Sequence, residues 1–160
     1  MNTLMQQFGP ILGMTLDLRH QLVDHLTDAD LAYRLPGANV TLGALCREMG
    51  EVEHAYAESF RTFRMDFGYR HPDASVETSV AALRRWYQAL EADLMAALSA
   101  LSEEDLGQKQ IDRGPSFQPT PVVQFHTYRE ALLIFYARVS LYLKGMNKPY
   151  PAEQWQYWIG

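Results

Sequence analysis

The chain has 160 residues, 48% of them hydrophobic, with 14 Lys and Arg against 19 Asp and Glu, a formal charge of -5. A chain of that length closes one hydrophobic core without disulfides or structural metal, so a single domain over residues 1–160 is expected. The acidic balance and the lack of any basic run leave no electrostatic footprint for nucleic acid, and one cysteine, Cys46, excludes an intrachain disulfide and any CxxC motif.

Four segments show helical periodicity. The first, from about Thr3 to His25, sets Leu4, Phe8, Ile11, Leu12, Leu16, Leu22 and Val23 on one stripe, with Pro10 as a kink or a late start. In TDADLAYRLPG, Thr27 or Asp28 caps a single turn before Pro36 and Gly37 break the chain. The second opens at an N-capping Thr41 and is apolar at Leu42, Leu45, Met49, Val52, Tyr56 and Phe60 until MDFGYRHPD ends it. Its opposite face, Arg47, Glu51, His54, Glu58 and Arg61, reads as a solvated stripe of alternating charge.

The third helix spans about Val76 to Leu101, with Val80, Leu83, Trp86, Tyr87, Leu90, Leu94 and Leu98 inward, and SEED from Ser102 reads as a capped short turn. After the loop DRGPSFQP, Thr120 supplies an N-cap and Pro121 the first residue of a fourth helix that ends near Lys144-Gly145. Ala131 to Leu143 is apolar on nearly every side, which predicts the most buried helix of the four. Strict alternation bounded by turns is absent, so the sequence predicts an all-α fold, a four-helix bundle. In the tail YPAEQWQYWIG, Trp155 and Trp158 are three apart and dock a last turn on the bundle, or, if exposed, mark a subunit interface.

No stretch reaches the roughly 18 uncharged residues that a bilayer span needs, and MNTLMQQFGPILGMTLDL lacks a basic head and a cleavage site. A cytoplasmic protein with no membrane partner is expected. His20 and His25 complement the C-terminal dipole of the first helix, His71 falls in a loop, and Cys46 beside an apolar stripe reads as a small core residue. GxSxG, a phosphate-cradling glycine loop and HExxH are all absent.

Three passages, in order along nearly the whole chain, resemble the DinB/YfiT-like family of four-helix bundles. LTDADLAYRLPGANVTLGALCREMGEVEHAY is similar to the family's short turn, proline-glycine break and second-helix opening; LSEEDL precedes the last loop; YLKGMNKPYP is similar to its ending. The resemblance implies a divalent metal held by three histidines, one near the start of the second helix and two four residues apart on the fourth. It further implies thiol-transferase chemistry and, because such bundles often pair, a homodimer. Residues i and i+4 share one helix face and can share one ion, with a facing helix completing the site. Aligning the motifs puts Glu48, Ala131 and Phe135 at those three positions. Alanine and phenylalanine have no ligating atom, so the family's metal centre is expected to be lost and no cofactor is favoured.

Arg138 lies three residues after Phe135 and is expected to point into the same space. It either pairs with Glu48 as the polar centre of the bundle or runs to the surface along its apolar stem while Glu48 sits at the rim. The first functional expectation is therefore a small-molecule ligand in the inherited cleft, with Glu48, Tyr128, Phe135, Arg138 and Tyr142 as fittings. A second is a metal-dependent thiol transferase or hydrolase, in which His126 and Glu130, at i and i+4, join Glu48 or Glu51 around Zn, Mn, Fe or Ni. A third is a non-catalytic dimeric scaffold.

Overall fold

Side-chain caps set the helix boundaries. Asn2 accepts from the Met5 N–H to open α1 (Thr3–His25), and its amide group donates to the carbonyls of Leu98 and Leu101, both at 2.8 Å. Pro10 lies inside α1 with its ring exposed and does not end the helix. A reciprocal Thr27–Asp30 capping box starts the single turn α2 (Asp28–Leu31). Thr41 accepts from Ala44 N–H at the head of α3 (Leu42–Thr62), which stops where Phe63 turns left-handed at φ 55°. The computed structural model describes every residue from Met1 to Gly160.

The third long helix, α4 (Val80–Ala100), begins four residues later than its apolar pattern predicts. Ala74–Glu77 forms a separate 3-10 turn capped by Asp73, and Ser79 then caps α4 by accepting from Ala82 N–H. Asp28 of α2 accepts from Val80 N–H at 2.8 Å. Two competing caps six residues apart split what periodicity alone joins. A Ser102–Asp105 capping box opens α5 (Glu103–Gln108), and Thr120 with Pro121 opens α6 (Pro121–Gly145). A last turn, α7 (Gln154–Ile159), seats fully buried Trp155 against Tyr136.

All elements are helical or irregular, with two isolated bridge pairs and no strand, so the fold is all-α. Helix α3 packs on both α4 and α6, and α1 packs on the same two, around one cluster of 38 buried apolar residues. Each leucine or phenylalanine removed from water there contributes about 1.5–3 kcal/mol before the entropy cost. No helix is long and apolar enough to cross a membrane.

Glycine permits the closest contact. A Cβ built on Gly50 would overlap the Trp86 ring, and one on Gly43 would overlap the Glu77 carbonyl. With those glycines, α3 buries 12 of its 21 residues, whereas α6 buries 11 of 25. The expectation that α6 is the most buried helix is thus overturned. Its apolar residues wrap the whole circumference, and Val123, Ile134 and Leu141 face outward with Ile134 62% exposed.

The charged face of α3 is also not simply solvated. Loop 63–79 folds back over it: Arg47 bonds Glu77 and the His71 carbonyl, Glu51 accepts from His71 N–H, and His54 stacks on Tyr69 at 3.8 Å.

Candidate functional site

Glu48 from α3 and Ala131, Phe135 and Arg138 from α6 line one hollow of about 190 Å³. Glu48 and Val52 are shared with a neighbouring hollow of about 440 Å³ that reaches Val40, Phe67 and Arg70. Together they form a groove whose apolar walls are interrupted by Glu48, Glu51, Arg70 and Arg138. Arg138 Nη2 lies 3.3 Å from Glu48 Oε2, with the two side chains 48% and 55% exposed. The pair exists, but it sits at the rim of the groove, not at the polar centre of the molecule. The guanidinium runs to water along its stem while Phe135 takes the buried floor.

The other sequence candidates scatter. Tyr142 is buried and donates to the Val40 carbonyl at 2.7 Å, fixing one edge of the groove. Tyr128 is not in the groove at all; it is fully buried and donates to Glu53 at 2.9 Å. His126 packs edge-on against Phe8 and Phe125, with ring centroids 4.8 and 5.4 Å away, while Glu130 is exposed.

The donor set does not fit the divalent metal that the DinB/YfiT resemblance implies. Among the three positions concerned only Glu48 carries a ligating atom, and Phe135 closes the floor beside it. Nor do His126 and Glu130 assemble a replacement with Glu48 or Glu51. Nowhere do three or more His, Cys, Asp or Glu side chains converge so as to hold an ion.

The polar centre lies elsewhere. Arg19 of α1 and Glu53 of α3 are both fully buried and joined by two hydrogen bonds, one from Nη1 and one from Nη2 at 3.2 Å. Tyr128 of α6 donates to the same carboxylate, and the Arg19 guanidinium stacks over the Tyr87 ring of α4 at 4.5 Å. All four long helices therefore meet at one ionic network. Burial alone would lower the Arg19 pKa, but Glu53 and the surrounding tyrosines outweigh it and hold the guanidinium well above its ordinary value. Burial, then the Glu53 charge, pushes the Tyr128 phenol well up, so it stays a donor.

Both charges interrupt an apolar stripe. Arg19 is three residues after Leu16 and three before Leu22, and Glu53 is four after Met49 and three before Tyr56. That interruption is the signal available in the sequence.

From this network the chain of polar contacts continues outward. Arg19 Nη2 reaches Glu91 at 3.5 Å, and Glu91 pairs with His20 at 2.7 Å. These residues edge a hollow of about 440 Å³ between α1 and α4. No protein-family model matches the chain, and neither a curated protein nor a solved structure does. Function must then be argued from the residues of the site.

Proposed function

We propose that the chain is a divergent DinB/YfiT-like four-helix bundle that binds a small amphipathic carboxylate in the groove between α3 and α6. The bundle reading is supported by four long helices closing around one core, and by the short capped turns α2 and α5 at the places where the resembling passages lie. One observation carries the ligand reading: a carboxylate, that of Glu48, already rests on Arg138 at the mouth of a mostly apolar hollow.

A solvent-facing pair of this kind contributes about 0–1 kcal/mol, so a ligand carboxylate can replace Glu48 at small cost. The ligand's apolar tail would then cover the exposed faces of Val40, Phe67 and Ile134. Octanoate titrated into isotopically labelled protein should shift amide resonances of residues 45–52 and 131–138 saturably. Arg138→Gln should weaken that binding at least tenfold. Saturation elsewhere, or none, rejects the groove. Elemental analysis of protein purified without a histidine tag should find less than one metal per chain; a stoichiometric ion would restore the metal-dependent enzyme.

One observation favours a second reading, the homodimeric scaffold. Ile134 and Leu141, two turns apart on α6, are 62% and 55% exposed and flank Arg138 on one face of the helix. Light scattering would then report twice the chain mass, falling to the monomer in Leu141→Glu.

A further inference from the structure

The hollow between α1 and α4 lies apart from the groove, and its lining is of another kind. Two polar pairs bracket it, the hydrogen-bonded His20 and Glu91 and the ion pair of Asp24 with Arg84. Their polarity is opposite: α1 supplies the base of one pair and the acid of the other. Arg19 also lines the hollow, on the side of Glu91, which its Nη2 reaches at 3.5 Å. Val23 and Met95 add apolar surface.

Opposite charges on the two sides restrict what can enter. A simple anion could take Arg84 from Asp24 but would lie beside the Glu91 carboxylate, and a simple cation could take Glu91 from His20 but would lie beside Arg84. A molecule bearing both charges meets a partner of opposite sign at each side, Glu91 for its cation and Arg84 for its anion. The partners to be displaced are the more exposed ones, Asp24 at 65% and His20 at 45%, so the exchange costs little.

We propose that this hollow binds a small zwitterion of amino-acid size, its carboxylate toward Arg84 and its ammonium toward Glu91. Its volume of about 440 Å³ is ample for such a ligand with an aliphatic side chain against Val23 and Met95. The proposal is independent of the groove between α3 and α6, and its probes read a different set of residues.

Three probes sharing one branched side chain provide the test: L-leucine, 4-methylpentanoate without the amino group, and isopentylamine without the carboxylate. L-leucine should shift amide resonances of residues 19–24 and 84–95 saturably, and either singly charged analogue should bind at least tenfold more weakly. Glu91→Gln and Arg84→Gln should each weaken leucine binding tenfold or more with circular dichroism unchanged. No saturable response to leucine, equal binding of one analogue, or indifference to both substitutions would overturn the assignment.

Discussion

Glu48 and Glu53 are five residues apart on α3 and meet different physics. Glu48 faces Arg138 across water, whereas Glu53 accepts from Arg19 and Tyr128 with no solvent near it. Removing one partner of a buried pair strands the other charge at about 3–5 kcal/mol, while a surface pair contributes about 1 kcal/mol at most. In urea denaturation, Glu53→Gln should therefore lose several kcal/mol of stability and Glu48→Gln less than about 1 kcal/mol. Similar losses for the two would contradict the buried network.

Cys46 shows the same principle for a neutral group. Burial pushes its thiol up to about 12, against a value near 9 once the chain unfolds. The native state holds the proton more tightly, so this contribution is whole below pH ~9 and is lost as pH rises from there through the folded value. Alkylation by iodoacetamide at pH 8 should accordingly be negligible in the native protein and rapid after unfolding.

At the scale of elements, glycines in α3 act through neighbours. Glycine in a helix interior normally costs about 1 kcal/mol against alanine, so Gly13→Ala in α1, where a Cβ meets nothing within 4 Å, should stabilise by about that amount. Gly50→Ala should do the opposite, destabilising by about 1–3 kcal/mol, because its Cβ has to displace the Trp86 ring and with it the contact of α3 with α4. Thermal unfolding of the two variants gives opposite shifts if that contact is as close as described.

Loop 63–79 belongs to the same scale. His71 stacks on Trp86 at 4.1 Å, and its burial depresses the imidazole pKa below the usual 6.5, with Asp73 only partly opposing and Arg47 reinforcing the shift. A depressed histidine stabilises the native state above pH ~6.5 and loses that contribution as pH falls through the folded value. As pH falls below ~6.5, amide exchange in residues 66–78 should slow less steeply than the intrinsic base-catalysed trend, a difference absent in His71→Phe.

Across the whole molecule, Arg19, Glu53, Tyr87 and Tyr128 bring one residue from each long helix to a single point. Such a network fixes how the helices are rotated about one another, since any other rotation strands a charge in the core. Replacing the pair together, Arg19→Met with Glu53→Leu, should recover most of the stability that Glu53→Gln alone loses, as calorimetry can show.

Helix positions, caps and the all-α class were legible in the sequence because they depend on contacts within three or four residues. Thr27, Thr41, Ser102 and Thr120 each cap where their own neighbours dictate. The break before Val80, the outward turn of Ile134 and the covering of Arg47 by loop 63–79 depended on partners distant along the chain, and the apolar pattern carries no record of them. Glu48 and Arg138 could be paired by alignment, but which acid is buried and which is wet follows from how four helices are rotated against each other. Local hydrogen bonding and periodicity thus determined the elements; long-range packing, which decides where water is excluded, alone decided that Arg19 and Glu53 form the polar centre.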